Sequence, residues 1–358
     1  MDLADVPEVD EFLDRLGLGP FDRASLSAPV GRNDVWAGRT GCGRKVFVKR
    51  LVGQPGDVRE RMGRLLSFER FRPTLPAGAV RTPHFLGADE TFGLVAFDHL
   101  DEGVNGAEMM VDETFDEGLC QEVGRTIGRI HAAVPENPDG FDTTPPALPS
   151  TSLLHGMSQQ MFEGLSFAGL EAWQLMQGDR GVVEAITALR DGERRAPRVP
   201  SHCDLRVDQL IVVRGDLHVS DWEEFRLADP ARDVGSFAGE WLYRSVLDIV
   251  TARGDTAAED LELTHDSVLD RGARKLERLR PRIQHFWNGY LEAGPTADDG
   301  LVERATAFAG WHLLDRLIAG SAQRSRLSGI ERAAAGIGRS ALLSPQRFAA
   351  AIGFEETA

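Results

Sequence analysis

Charged residues flank a predicted β-hairpin in the segment HCDLRVDQLIVVRGDLHVSDWEEF, residues 202–225. Asp204 precedes the first apolar strand and Asp221 ends the second, with Arg214-Gly215-Asp216 as the turn. Such a hairpin holds two carboxylates at fixed positions beside one cleft. Phosphoryl transfer needs such a pair, because a metal bound to polyphosphate takes oxygen ligands and the attacking hydroxyl needs a nearby proton acceptor. It also needs a lysine on the phosphates.

The first hundred residues contain the pattern of a small β-rich lobe that could position this lysine. In chain order the segments are a helical pattern at 8–18, strand, turn and strand at 27–51, an amphipathic helix at 58–71 and two strand-like runs at 82–103. The run KVFVKRL at the end of the second segment is a strand that carries Lys49. We therefore assign residues 1–100 to a nucleotide-binding N-lobe built of strands and one helix.

Residues 101–358 are predicted to form a larger, mainly helical lobe that contains the hairpin. Apolar residues recur on one helix face between Leu119 and Ile130, and a Pro-rich loop follows at 135–152. Residues 157–195 have a helical pattern, and helix resumes after 234. The predicted fold class is α+β, with two lobes.

The composition indicates a folded protein that binds neither nucleic acid nor membrane. The 358 residues are 42% hydrophobic and 27% charged, which makes wholesale disorder unlikely, and the net charge of −16 disfavours polyanionic partners. Cys42, Cys120 and Cys203 form no CxxC pair, so neither a zinc site nor a disulfide framework is indicated. The acidic N-terminus has no apolar signal region, and no run approaches the roughly 18 apolar residues of a membrane span. A cytoplasmic location is expected.

Three linked segments resemble the aminoglycoside phosphotransferase/choline kinase superfamily, which has the protein-kinase fold. The family pattern is H-G-D-L-x-x-x-N, then I-D-W-E, then G-D-P-x-x-D-L-A. This sequence has HCDLRVDQ at 202–209, SDWE at 220–223 and ADPARDV at 228–234, in the same order. The resemblance implies a protein-kinase-like bilobal fold and a phosphotransferase that uses ATP and Mg²⁺ to phosphorylate an alcohol group.

The resemblance implies a role for each motif residue. Asp204 would be the catalytic base or orient the acceptor hydroxyl, and Arg206 would neutralise charge on the transferring phosphoryl group. Asp221 would be the main Mg²⁺ ligand, with Gln209 as the second. His202 and Asp233 would brace the loop.

The nucleotide side of the site is implied by the N-terminal segments. Lys49 matches the strand lysine that holds the α- and β-phosphates, and Glu69 matches the helix acid that pairs with it, with Glu60 as the alternative. The segment LVAFDHLDEG, residues 94–103, matches the connector whose backbone binds adenine, which implicates Asp98 and Leu100. In PVGRNDVWAG, Gly31, Asn33 and Asp34 are the candidate phosphate-loop residues.

Two departures from the family pattern keep a second class of function open. Gln209 replaces the metal-binding Asn, which places the amide oxygen one methylene further out, and Cys203 replaces Gly. The phosphate loop has Gly31 and Gly38 but not G-x-G-x-x-G. A nucleotide-binding pseudokinase scaffold is therefore one alternative to an enzyme. We interpret Cys203 as a packing residue and not as a nucleophile, since nothing in the motif activates it.

The acceptor is not given by the fold. The segments GRNDVWAG to VFVKRL and GIERAAAGIGRS resemble the kinase subunits of class V lanthipeptide synthetases, which phosphorylate Ser/Thr of a precursor peptide before a partner lyase removes the phosphate. Under that resemblance the acceptor is a precursor peptide and a lyase or cyclase is the partner protein. The alternative is an aminoglycoside or another small hydroxylated molecule. The acidic stretch at 98–117 could attract a cationic acceptor or be a solvated face.

Overall fold

The computed structural model describes residues 3–29, 31–251, 253, 265–295, 298–322 and 324–354, with 265–269 described as backbone only. The chain forms two compact units. The smaller unit comprises Met1–Val111, Asn137–Asp142 and Asp208–Arg226, and the larger unit comprises Asp112–Glu136, Thr143–Val207 and Leu227–Ala358. The catalytic-loop motif and the hairpin that follows it therefore belong to different units, with the border between Val207 and Asp208.

The strands and helices confirm the α+β class, with a small antiparallel sheet and a larger helical part. The described strands are β1 Asp34–Arg39, β2 Lys45–Arg50, β3 Phe85–Asp89, β4 Leu94–Asp98, β5 Val104–Asn105, β6 Val199–Ser201, β7 Leu210–Val213, β8 Asp216–Val219 and β9 Arg226–Ala228. The described α-helices are α1 Pro7–Arg15, α2 Pro55–Phe71, α3 Gly106–Val111, α4 Glu117–Ala132, α5 Thr151–His155, α6 Gln159–Gly164, α7 Phe167–Gln177, α8 Arg180–Arg195, α9 Ala231–Leu247, α10 His265–Glu292, α11 Leu301–Ser321, α12 Gly329–Leu343 and α13 Pro345–Ile352. None of these helices is long and apolar enough to cross a membrane.

The smaller unit is organised around an antiparallel sheet with strand order β1-β2-β4-β3. In β2, Val46 and Val48 are fully buried in a core that also contains residues of α1, while Phe47 and Lys49 alternate to the other face. The N-terminal α1 adds Val9, Phe12 and Leu13 to its core. The alternation along β2 directs Lys49 away from the apolar core.

The predicted hairpin is present as β7 and β8. Its register pairs Leu210 with Val219 and Val213 with Asp216, which leaves Arg214 and Gly215 as a two-residue turn. Both turn residues have positive φ, 51° and 90°, as in the type I′ turns whose twist suits a hairpin. The short strand β5 pairs with β7 on its other side, so the hairpin lies in a three-stranded sheet with order β5-β7-β8.

The larger unit depends on close packing of α4 against α10. Gly124 in α4 lies so near α10 that an added Cβ would be 2.0 Å from the carbonyl oxygen of Phe286. Gly289 in α10 is equally close to α4, because its added Cβ would be 2.1 Å from the carbonyl oxygen of Gln121. The glycines therefore set the distance between the helices and, with it, the position of His131 near the end of α4.

Replacing Gly124 by Ala should destabilise the protein by about 1–3 kcal/mol, because the methyl group would force two backbones apart. Equilibrium unfolding in urea measures this change. Gly336→Ala is the matched control, since Gly336 is an exposed position inside α12 with nothing within 4 Å of its added Cβ. That control should stabilise by about 0.5–1 kcal/mol. Equal, small effects of the two substitutions would contradict the close approach of α4 and α10.

Candidate active site

The catalytic-loop motif follows β6 in the larger unit and is held by one buried carboxylate. The backbone N–H groups of His202 and Cys203 donate to the two oxygens of Asp233, at 2.7 and 2.8 Å. Asp233 lies in the first turn of α9 and is completely buried. Two donor–acceptor bonds from consecutive residues fix the backbone at the point where Asp204 leaves it.

Asp233 is in turn held by the α4 and α10 helices. Nε2 of His131 lies 3.1 Å from Asp233, and Nδ1 of the same ring lies 3.0 Å from the hydroxyl of Tyr290. Burial alone would raise the pKa of Asp233, but the contact with His131 and the nearby His202 outweigh it and hold that pKa below its ordinary range. Asp233 therefore stays an acceptor for the loop, which supports the bracing role predicted for it.

Cys203 occupies a conformation that favours glycine. Its φ is 65°, in the left-handed region where a Cβ costs energy, and it stands where the family pattern has Gly. The side chain is partly buried. Cysteine in place of the family's glycine therefore strains the backbone beside Asp204.

Replacing Cys203 by Gly should raise the free energy of unfolding by about 1 kcal/mol, because glycine adopts the left-handed conformation without that cost. Urea denaturation at equilibrium measures the gain. Cys203→Ala removes the thiol but keeps the Cβ, so this control should show no gain. A stabilisation of equal size in both variants would assign the effect to the thiol and contradict the backbone explanation.

Asp204 is the exposed end of the loop motif. Its side chain is 41% exposed, and Oδ2 lies 3.8 Å from Nη2 of Arg206, whose side chain is 26% exposed. Its backbone N–H donates weakly to Nδ1 of His202 at 3.4 Å. The two residues predicted to act at the transferring group are thus neighbours on the accessible side of a fixed loop.

The next part of the loop rests on α9 and α11. The N–H of Val207 donates to Oε2 of Glu240 at 3.4 Å, and Oε1 of Glu240 lies 2.6 Å from Nε2 of His312. Burial opposes ionisation of Glu240, but the contact with His312 and the charge of Arg316 hold the pKa of Glu240 below its usual range. This carboxylate is therefore already engaged by the protein.

The predicted metal ligands lie at one end of the β7–β8 hairpin. The ladder extends by one pair beyond the strands, because the N–H of Ser220 donates to the carbonyl oxygen of Gln209 at 2.9 Å. Asp221 follows directly, with φ 67° and a side chain that is 27% exposed. The hairpin thus brings Gln209 and Asp221 to the same end.

These two side chains fit a hard divalent cation such as Mg²⁺. Mg²⁺ is usually held by one or two carboxylates, with phosphates and water as the other ligands, and not by an all-protein cage. Throughout the residues that the structure describes, no group of three or more His, Cys, Asp or Glu side chains could hold a metal ion. The carboxylate of Asp221 and the amide oxygen of Gln209 are donor types that would hold a nucleotide-bound cation.

Lys49 contacts the predicted metal-binding segment that follows β8 in the smaller unit. Its Nζ forms a close ion pair with Asp221 and lies 2.6 Å from Oε2 of Glu223. Burial disfavours the charged lysine, but the two carboxylates outweigh that cost and raise the pKa of Lys49. The structure therefore brings together two of the predicted residues, Lys49 and Asp221, from positions 172 residues apart.

The predicted pairing of Lys49 with Glu69 is wrong. Glu69 lies near the end of α2 and pairs with Arg72 at 3.4 Å, while Glu223 takes the position beside Lys49. Burial raises the pKa of Glu69, although Arg72 partly offsets it. The alternative, Glu60, is also not the partner, because its side chain is 73% exposed and contacts Arg64. The residue of α2 that pairs with Glu223 beside Lys49 is Arg61, and neither of the two acids does so.

The candidate phosphate-loop residues have different environments. Gly31 is exposed, whereas Asn33 is buried and its Oδ1 accepts from the N–H of Val52 at 3.1 Å and from Nη2 of Arg61 at 2.8 Å. Asp34 pairs with Arg50 at 2.6 Å across the first strand pair. The Asn33 side chain is thus engaged within the protein, which leaves the backbone of this segment as the candidate contact with phosphate.

The predicted adenine connector follows β4. Asp98 is the last residue of that strand, and its carboxylate accepts from Nε and Nη2 of Arg44 at 2.6 and 2.7 Å. Its N–H donates to the carbonyl oxygen of His84. The carbonyl oxygen of Leu100 accepts from the N–H of Gly103, which closes a turn after the strand. An adenine-binding role for Asp98 and Leu100 stays a prediction.

Sequence reasoning missed two residues of this cluster. Glu223 belongs to the quoted S-D-W-E motif but received no role, and Arg61 was only one polar residue of an amphipathic helix. Their partnership joins positions 162 residues apart, with Nη2 of Arg61 2.7 Å from Oε1 of Glu223. A fully buried arginine next to apolar positions carries no signal in a single sequence that would identify its partner.

Comparisons with known proteins identify the family and the fold of the chain. The family model described as "Phosphotransferase enzyme family" (APH) matches residues 33–282. A search of curated protein sequences finds no match.

Among solved structures, a spectinomycin phosphotransferase, APH(9)-Ia, is similar with a TM-score of 0.55 and 13% identity, over 95% of this chain and 98% of that one. The choline kinase LicA from Streptococcus pneumoniae has a TM-score of 0.53 and 13% identity, over 94% and 98%. The amicoumacin kinase hAmiN has a TM-score of 0.53 and 13% identity, over 94% and 93%. At these identities the structures show a shared fold.

Proposed function

Because the chain belongs to the phosphotransferase enzyme family and acts on hydroxyl groups, we propose that it transfers the γ-phosphoryl group of ATP to its acceptor with Mg²⁺. The observation that carries this proposal is the contact of Lys49 with Asp221 and Glu223, which joins a strand lysine to the metal motif. Adenine nucleotides and a divalent cation are also named for solved proteins of the same fold, with ADP in one and AMP-PNP with Ca²⁺ in another.

The smaller unit would bind the nucleotide. Lys49 would exchange its contact with Asp221 for the α- and β-phosphates, and Asp221 and Gln209 would hold Mg²⁺. The cation would neutralise charge on the phosphates. Lys49 would keep its contact with Glu223 during this exchange.

The larger unit would activate the acceptor. Asp204 would accept the hydroxyl proton as the acceptor oxygen bonds to the γ-phosphorus, while the bond from that phosphorus to the β,γ-bridging oxygen breaks and ADP leaves. Arg206 would stabilise the charge on the transferring group. The two hydrogen bonds from the loop backbone to Asp233 keep Asp204 in a fixed position, and efficient proton transfer requires such fixed geometry.

For the acceptor we propose a Ser or Thr hydroxyl of a ribosomally made precursor peptide. The resemblance of the N-terminal and C-terminal segments to class V lanthipeptide kinase subunits supports this, with a partner lyase that eliminates the phosphate.

A small cationic acceptor is the second candidate. The net charge of −16 favours attraction of a cation over an anion. Mass spectrometry distinguishes the products of the two candidates. A lyase removes phosphate from a phosphorylated peptide and leaves a dehydroamino acid, whereas a phosphorylated sugar keeps its phosphate.

The experiment is transfer of label from γ-labelled ATP in the presence of Mg²⁺, with a neighbouring-gene precursor peptide and an aminoglycoside panel as separate acceptors. Label on the peptide is the expected result. After lyase is added, the label should leave as inorganic phosphate, and each modified residue should then be lighter than the unmodified one by one water. Label only on an aminoglycoside would overturn the peptide proposal and keep the phosphotransferase. Nucleotide binding without transfer to any acceptor would support a scaffold instead.

A further inference from the structure

Four buried polar side chains form a network around Lys49 in the smaller unit. Its members are Lys49 itself, Glu223, Arg61 and Asn33, each less than a tenth exposed. From this network we infer that Glu223, fixed by Arg61 and Asn33, is the carboxylate that positions Lys49 for the nucleotide, in place of Glu69. The inference rests on the proposed function and names positioning residues for the same site.

Glu223 is the carboxylate that remains with Lys49 once Asp221 is committed to a cation. Lys49 contacts the carboxylates of Asp221 and Glu223. A cation bound to Asp221 would weaken the attraction between Asp221 and Lys49. Oε2 of Glu223 lies 2.6 Å from Nζ and is 8% exposed, so solvent screens this pair little. Lys49 then keeps one fixed partner while its other hydrogen-bond donors turn to phosphate.

Glu223 is held on its other side by α2. Oε1 accepts from Nη2 of Arg61 at 2.7 Å, and the backbone carbonyl of Glu223 accepts from Nε of Arg64 at 2.9 Å. The preceding residue, Trp222, stacks on Phe68 of the same helix with ring centroids 3.8 Å apart and 2° between the planes. The side chain of Glu223, its backbone carbonyl and the neighbouring Trp222 therefore all contact one helix, as a positioning group requires.

Asn33 extends the network into the predicted phosphate loop. Its Oδ1 accepts from Arg61 at 2.8 Å, and Nδ2 lies 3.4 Å from Oε2 of Glu223. Gly31, the turn residue of that loop, is two positions away. The same buried charges thus fix Lys49 and one end of the loop, so a change at Glu223 should act on nucleotide binding even though Glu223 need not touch the nucleotide.

The balance of charges explains why α2 supplies an arginine here. Asp221 and Glu223 pair with Lys49, and Glu223 also pairs with Arg61. Arg61 has a further, partly exposed carboxylate, Asp57, at 3.3 Å. Without Arg61, Glu223 would be a buried acid shared with a lysine that must also serve phosphate. Glu69 cannot take this part, because its partner is Arg72.

The test compares Mg·ATP affinity and thermal stability in the full-length protein, by calorimetric titration and thermal unfolding. Glu223→Gln removes the buried charge partner of Arg61, leaves it with the partly exposed Asp57 at 3.3 Å, and can unfold the unit. The informative variant is therefore Arg61→Met with Glu223→Gln, which removes both buried charges together. We expect this double variant to keep its unfolding temperature within a few degrees and to bind Mg·ATP about tenfold more weakly. Glu223→Asp, which keeps the charge, should retain more affinity than Glu223→Gln.

The matched controls lie on the same helix. Glu60→Gln, at an exposed position, should leave affinity within about twofold, and Glu69→Gln tests the competing assignment. A folded double variant with wild-type affinity, or a large loss of affinity in Glu69→Gln alone, would overturn the inference. Failure of the proposed function is distinguishable, because wild-type protein would then transfer no phosphate whatever the variants do to binding.

Discussion

Replacing Asp204 by Asn should lower kcat for phosphoryl transfer on the order of 10³-fold and leave Mg·ATP affinity almost unchanged. The amide keeps the shape of the side chain but cannot accept the acceptor's proton, and general base catalysis contributes about 10²–10⁴-fold. The backbone at this position is fixed by Asp233 through its neighbours, so the loop should keep its conformation. Steady-state transfer and calorimetric titration measure the two quantities.

Asp208→Asn is the matched control for this prediction. Asp208 is an exposed acid four residues further along the same motif, and no role is assigned to its carboxylate. Its substitution should change kcat by no more than about twofold, as expected for a surface position. If Asp204→Asn retained wild-type turnover, Asp204 would not be the proton acceptor, and the assignment of the loop would be wrong.

Replacing Asp221 by Asn should abolish the dependence of nucleotide binding on Mg²⁺ and lower transfer on the order of 10³-fold. The neutral side chain is a poor ligand for a hard cation, and charge stabilisation by a metal is worth several kcal/mol in the transition state. In addition, Lys49 loses one of its two carboxylate partners and pairs with Glu223 alone. Titration of ATP at increasing Mg²⁺ concentration, together with transfer rates, measures both effects.

The control for Asp221 is Asp216→Asn in the turn of the same hairpin. Asp216 is 57% exposed and pairs at the surface with Arg81 at 3.2 Å, so its loss should leave binding and transfer unchanged within about twofold. Persistence of full Mg²⁺ dependence in Asp221→Asn would place the cation on other ligands and remove the role assigned to the hairpin.

The elements that depend on local sequence were predictable. The hairpin could be read from an apolar run, a turn and a second run, because the turn residues determine the register of a two-residue loop. The Lys49 strand followed from alternation of apolar residues. The clamp on the loop was expected at Asp233 from the motif, although the backbone hydrogen bonds that create it were not visible in the sequence.

The assignment that failed concerned a choice among the polar residues of one helix. Spacing along α2 cannot say which polar residue contacts the segment after the hairpin, because Arg61, Glu60 and Glu69 all interrupt the same apolar pattern. The choice is made by tertiary contacts, in particular the stacking of Phe68 on Trp222 and the ion pair of Arg61 with Glu223. The left-handed conformation of Cys203 and the pairing of β5 with β7 were likewise set by distant segments.

The central claim is that the protein transfers phosphate from ATP. The most direct test measures the label that is released or transferred from γ-labelled ATP with Mg²⁺. Wild-type protein and Asp204→Asn are compared at matched nucleotide occupancy. Water can take the place of the natural acceptor, so the assay does not depend on knowing the identity of that acceptor. We predict slow label release without acceptor, faster transfer with the correct hydroxyl, and loss of both in Asp204→Asn. Wild-type protein that binds Mg·ATP but moves no label to water or to any acceptor would contradict the phosphotransferase account.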